Sequence, residues 1–279
     1  MNLVLSQGYL GYPNAGKIQY FNGVREDLEA RYPVTIIEPF VDPLKGVVVR
    51  GGQLARQIRV ALGEAEPGSH AERAVAGRFD QTQPVHIIAH SMGSLDSRYV
   101  LSPANPDNLG SRVVTLTTIA GPHRGSPTVD LLFKDIEGIG ASAFERRLAK
   151  YLRKFLTLFH VSLQGLANLT TEWTAEFNRT YVDHPDVRYF SVAGSGRPGR
   201  LKTAAVMDWS WRYIKEQTGE ENDGAVPVSS ARWGELDPDF WPADHPEEIG
   251  HDVNRCGLAP KDFDYLARYR TLVERLLRP

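Results

Sequence analysis

The chain has 279 residues, 42% of them hydrophobic and 24% charged, with a formal net charge of −2. That composition is ordinary for a globular protein, and the even charge balance offers no basic surface, so no nucleic-acid partner is expected. No run approaches the ~18 apolar residues of a transmembrane segment, and the lone Cys256 excludes an intramolecular disulfide and a cysteine metal cluster.

Met1-Asn2-Leu3-Val4-Leu5 enters a strand directly, without the basic region, long apolar segment and cleavage site of a secretory signal. The expected location is therefore the cytoplasm, or outside the cell by a route without a cleaved N-terminal signal. After the strand Leu3-Val4-Leu5, the positions Phe21, Val24 and Leu28 mark a helix face, and Val34-Thr35-Ile36-Ile37 reads as a second strand. Gln53 to Leu62 reads as helix and Gly63 to Asp80 as a polar loop. The apolar run Pro84-Val85-His86-Ile87-Ile88 comes next, then a helix marked by Met92, Leu95 and Tyr99, then the strand Val113-Val114-Thr115-Leu116-Thr117. A further strand, Val187 to Val192, follows a long helical stretch, and Tyr265, Tyr269, Leu272 and Leu276 give a closing amphipathic helix. Strands alternating with helical patterns predict an α/β protein with a mostly parallel sheet covered on both faces. The whole chain, 1–279, reads as one domain with a helical insertion at about 127–182.

Within that insertion Phe144, Leu148, Leu152, Phe155, Phe159 and Leu163 form one apolar stripe, and Arg146, Arg147, Lys150, Arg153 and Lys154 lie opposite. Two readings stand side by side. One is a surface helix packing its stripe on the core; the other is a lid that covers the site and makes transient contact with a lipid interface.

The chemistry begins at Ala89-His90-Ser91-Met92-Gly93. A buried strand, then small-x-Ser-x-Gly, then a helix describes a nucleophile elbow, in which a sharp turn exposes the serine hydroxyl above the sheet. A serine hydroxyl needs a histidine to take its proton, and the histidine needs a carboxylate to fix its tautomer. In folds of this kind the chain order is serine, acid, histidine. Asp223, in Glu221-Asn222-Asp223-Gly224, offers a carboxylate on a turn beside a strand end. Of the eight histidines only His245 and His251 follow it, and both remain candidates for the base. His123 sits near a strand end but precedes the acid. An oxyanion hole needs two backbone N–H groups. Met92, after the serine, supplies one, and Tyr9 in Gln7-Gly8-Tyr9-Leu10-Gly11 the other.

On these stretches, together with Tyr20-Phe21-Asn22-Gly23-Val24, Ser97-Arg98-Tyr99, Ala120-Gly121-Pro122-His123-Arg124-Gly125-Ser126, Leu169-Thr170-Thr171, Phe177-Asn178-Arg179 and Asp244-His245-Pro246-Glu247-Glu248-Ile249, the chain resembles the bacterial triacylglycerol lipases of the Pseudomonas and Burkholderia type. The resemblance implies an α/β-hydrolase fold with Ser91 as nucleophile, Asp223 as acid, His245 rather than His251 as base, and Tyr9 and Met92 as oxyanion donors. It places a lid around residues 138–166. It implies a serine ester hydrolase, a lipase or long-chain esterase, acting on a lipid or other hydrophobic ester with no redox or nucleotide cofactor. The chain departs from the family in three places. Gln7-Gly8 replaces the usual His-Gly, the family's disulfide cannot form, and its calcium site is altered. That site would draw on Glu247, with Asp208 as the upstream ligand, but His251 stands where an amide is usual, and neutral imidazole suits calcium poorly. The same machinery is compatible with an acyltransferase or with a hydrolase of intracellular polyesters or phospholipids. A lipid- or partner-binding protein that keeps the fold without catalysis is the alternative from another class.

Overall fold

The structure, a computed structural model, describes residues 1–9, 19–133, 146, 150, 154, 163–196, 205–255 and 258–278. Six strands form its sheet: β1 (Asn2–Ser6), β2 (Thr35–Ile37), β3 (Val85–His90), β4 (Val113–Ile119), β5 (Arg188–Val192) and the short β6 (Glu235–Leu236). They lie in the order β2-β1-β3-β4-β5-β6, and every neighbouring pair is parallel. A parallel strand covered on both faces reads as an unbroken apolar run, and β1 and β3 are buried at every position.

Side chains alternate between the two faces, as the period of two requires. Leu3, Leu5, Ile36 and Ile88 point to one layer, where they pack against Val24 and Leu28 of α1 (Val24–Arg31) and Tyr269, Leu272 and Val273 of the closing helix. Val4, Ile37, Ile87 and Leu116 point to the other, against α2 (Val47–Ala61) and the C-terminal part of the helix that follows β3. At roughly 25 cal/mol per Å² of apolar area, two continuous layers of this kind supply most of the stabilisation. Their ends then form a rigid edge on which a site can be held.

Most of the sequence expectations for elements hold, and two need correction. The helix expected from Gln53 begins six residues earlier, at Val47. The span 63–80, expected to be loop, contains α3 (His70–Val75), opened by a capping box in which Ser69 and Glu72 exchange side-chain-to-backbone hydrogen bonds. The helix α4 (Gly93–Leu101) follows β3 without a connecting loop, and α5 (Pro127–Phe133) follows β4. Beyond it come α6 (Thr171–Thr180) and α7 (Ala205–Thr218), the latter not foreseen, and the closing helix α8 (Tyr265–Leu277). The apolar stripe of the expected lid, from Phe144 to Phe159, lies outside the described residues; Arg146, Lys150 and Lys154 are exposed on helical backbone. Among the described residues no helix is long and apolar enough to cross a membrane.

Candidate active site

The turn at Ser91 is set by close packing. Ser91 takes φ = 56°, a left-handed conformation that a residue with a side chain adopts only where its surroundings enforce it. A Cβ on Gly93 would stand 2.6 Å from the Ser6 carbonyl oxygen, so only glycine lets the end of β1 approach the start of α4. Ala89 is wholly buried on the other side of the turn.

The structure brings Ser91, His245 and Asp223 together. His245 Nε2 lies 2.8 Å from Ser91 Oγ, and His245 Nδ1 lies 2.7 Å from Asp223 Oδ2. The other oxygen of the fully buried Asp223 accepts from the backbone N–H groups of Ala225 (2.7 Å) and Val226 (2.6 Å). Gly224 at φ = 91° allows that tight turn. The loop of His245 is fixed by its own residues. Its backbone N–H donates to the Asp223 carbonyl (3.0 Å), and Asp244 and Glu247 each accept from the other's backbone N–H (both 3.1 Å). His251, the other candidate base, has its Nε2 against the carbonyls of Gln19 (2.9 Å) and Tyr20 (3.0 Å). His123 is buried, bonded to Thr118 and stacked near Trp233.

Gly8 packs directly on the nucleophile: a Cβ there would be 2.6 Å from both Ser91 Cβ and the Tyr20 hydroxyl. Tyr9 is next in the chain, its phenol pushed up to about 12 chiefly by burial. Met92 opens α4, where the N–H has no intrahelical acceptor. Arg50 anchors the loop of Gln7 and Gly8. Wholly buried on α2, it donates through Nη2 to the carbonyls of Gln7 (2.7 Å) and Gly8 (3.1 Å). The same guanidinium pairs with Asp96 of α4. Burial, partly offset by Arg50, raises the Asp96 carboxyl to about 6.

A second carboxyl faces the histidine. Glu248 is completely buried, with Oε2 3.7 Å from His245 Nδ1 and 3.0 Å from His90 Nε2. Burial, with Asp223 and Asp244 beside it, holds its carboxyl well above the usual carboxylate range. Burial likewise keeps His90 neutral. We assign the His90 tautomer in which Nε2–H donates to Glu248 and Nδ1 accepts from the Tyr20 hydroxyl at 2.8 Å. The His90 and His245 rings stand 4.5 Å apart. Tyr20, His90 and Glu248 thus form a buried polar chain from the oxyanion loop to the acid side of His245. Sequence reasoning quoted these residues without giving them a role; the signal was the placement of Glu248 three residues after His245.

Of the expected calcium ligands, Asp208 keeps its Oδ1 buried without a hydrogen-bond partner. Asp208 pairs with Arg212 (2.9 Å), and Glu247 is part of the turn before His245. Among the described residues, the grouping of three ligating side chains close enough to share an ion is His90, His245 and Glu248. Both ring nitrogens of His245 are already taken within it. As placed, the arrangement offers a serine hydroxyl with a general base and an orienting carboxylate.

No family model matches the chain. It is 28% identical over 239 residues to triacylglycerol lipase 2 of Saccharomyces cerevisiae, covering 85% of this chain and 64% of that one. It is 27% identical over 279 residues to the triacylglycerol lipase of Pseudomonas fragi, covering 89% and 87% respectively. Among solved structures, the mature lipase BlEst2 of Bacillus licheniformis superposes with a TM-score of 0.62 at 21% identity, covering 89% of this chain and 86% of that one. The fold is that of the α/β-hydrolases, and the likeness to bacterial triacylglycerol lipases extends over most of the chain.

Proposed function

We propose that the chain is a serine carboxylic-ester hydrolase of the lipase and esterase kind, acting on hydrophobic esters. The observation that carries this reading is the line Ser91 Oγ–His245 Nε2–Asp223, with contacts of 2.8 and 2.7 Å on a strained elbow. Similarity to proteins named triacylglycerol lipase over most of the chain supports it.

Ser91 Oγ attacks the ester carbonyl carbon while its proton passes to His245 Nε2, and Asp223 holds the imidazolium that forms. The carbonyl oxygen becomes an oxyanion received by the N–H groups of Tyr9 and Met92. Each such donor is worth on the order of 3 kcal/mol of barrier. His245 then gives its proton to the departing alcohol, leaving an acyl ester on Ser91. Water enters, loses a proton to His245 and cleaves that ester, which frees the acid and restores the serine. No step requires a metal.

The test is hydrolysis of p-nitrophenyl esters with acyl chains from two to sixteen carbons, with Ser91→Ala alongside. Activity lost in the variant and greatest for long chains supports a lipase. A maximum at two to four carbons makes the protein a small-ester esterase. No turnover at any length, with no labelling of Ser91 by a fluorophosphonate, removes the catalytic reading and leaves a binding protein.

A further inference from the structure

Behind the oxyanion loop lies a cavity of about 620 Å³ that contains none of Ser91, Met92, Asp223 or His245. It opens at the carboxyl ends of β1 and β2, between α1, α2 and α3, and its lining is mostly apolar, with Leu5, Phe21, Ile37 and Val75 along it. Gln7 also lines it. That side chain is 94% buried (6% exposed), and its amide nitrogen Nε2 has no hydrogen-bond partner. A buried amide donor left unpaired is unfavourable and rare in folded proteins, and it calls for an acceptor. The volume falls in the range of small-molecule sites, which pair an apolar wall with a few placed polar groups.

We propose that this cavity is a second, non-catalytic site for an uncharged fatty-acyl ester. The ester carbonyl accepts from Gln7 Nε2, and the acyl chain lies along Leu5, Phe21, Ile37 and Val75. An ester fits better than the corresponding acid anion, because the Gln7 amide is a neutral donor and does not compensate a carboxylate taken out of water. The site stands on the cavity and on Gln7, and it does not depend on what Ser91 does.

Photo-crosslinking locates the ligand. The Ser91→Ala protein, which cannot consume the probe, is irradiated with the methyl ester of a fatty acid carrying a diazirine on its chain, and the labelled peptides are mapped by mass spectrometry. Labelling is expected within residues 69–78. Gln7→Leu should reduce it by about fivefold, the value of one neutral hydrogen bond. Ala74→Trp, placed from the exposed face of α3 into the cavity, should abolish it without changing the melting temperature. The free acid with the same diazirine should label this segment less. No labelling in 69–78, labelling unchanged by both substitutions, or labelling by the acid equal to that by the ester overturns the proposal.

Discussion

Arg50 and Asp96 are joined by a 2.8 Å ion pair with both side chains essentially out of water, and this pair ties the loop of Gln7 and Gly8 to the helix behind Ser91. Arg50 carries the loop through the Gln7 and Gly8 carbonyls, while Asp96 sits in the first turn of α4. A buried pair is costly to break, because the remaining charge has neither water nor partner. Asp96→Ala should lower the unfolding free energy by about 3–5 kcal/mol in a urea titration. Asp96→Asn keeps an acceptor for Arg50 but not its countercharge, and should cost less than Asp96→Ala by about the 1 kcal/mol of one hydrogen bond. Its raised carboxyl sets the pH dependence. The stability it contributes is full below its unfolded value of 3.8 and is lost as pH rises through about 6. A loss below about 1 kcal/mol in both variants would show that the pair does not bear on the fold as described.

Arg50→Lys is the test of the loop itself. Lysine has no planar fork to hold two carbonyls and a carboxylate together. If the loop then no longer aims the Tyr9 N–H, kcat should fall by about 10²-fold while KM changes little, the range seen when one oxyanion donor is lost. A rise in KM at constant kcat would instead mean that Arg50 shapes ground-state binding.

The triad should behave as a unit. Ser91→Ala and His245→Ala are each expected to remove about 10⁴-fold or more of kcat, and the double variant little more than either alone. Asp223→Asn should lose about 10⁴-fold, since an amide cannot hold the same tautomer of His245. Additive losses in the double variant would mean that Ser91 and His245 do not act in one step.

Glu248 predicts a contrast between two carboxyls near the same ring. Because burial disfavours its ionisation, Glu248→Gln, which is neutral at every pH, keeps an acceptor for His90 at little cost. Its stability at neutral pH should stay within about 1 kcal/mol of the parent, whereas Glu248→Ala leaves His90 unpaired and should cost about 1–3 kcal/mol. The raised carboxyl contributes stability that is full below 4.5 and lost as pH rises through its folded value. Chemical denaturation on the alkaline side should therefore show a flatter profile for Glu248→Gln than for the parent.

What could be read in advance was local. The elbow was legible because Ala89 and Gly93 answer a steric need created within five residues. The sheet was legible because runs such as Leu3-Val4-Leu5 are buried on both faces. Ser69 and Glu72 carried a capping box in plain view, yet the polarity around them hid α3. Arg50 could not be read, since an arginine ahead of the expected helix looks like a solvated side chain until Gln7, Gly8 and Asp96 converge on it from distant segments. Glu248 was hidden in the same way: only the packing of His90, Asp223 and Asp244 around it sets it apart from a surface charge.

The buried histidines make acid the weak side of this fold. His86, on β3 with Nδ1 bonded to Thr115 Oγ1 at 2.8 Å, is lowered to about 4 by burial and then by the N-terminal ammonium. A histidine whose folded value lies below its unfolded 6.5 contributes stability that is present above 6.5 and lost as pH falls toward 4. The interval corresponds to roughly 3 kcal/mol at one pH unit per 1.36 kcal/mol. His90 and His123 are lowered in the same direction, so the chain keeps an acid-sensitive slope even without His86. His86→Gln removes one titrating group while leaving a partner for Thr115. Near pH 7 the variant should be slightly less stable than the parent, because the imidazole packing is lost. Near pH 4.5 it should be the more stable of the two, so urea midpoints plotted against pH should cross. Parallel curves would mean that His86 takes up its proton in the folded chain as readily as in the unfolded one.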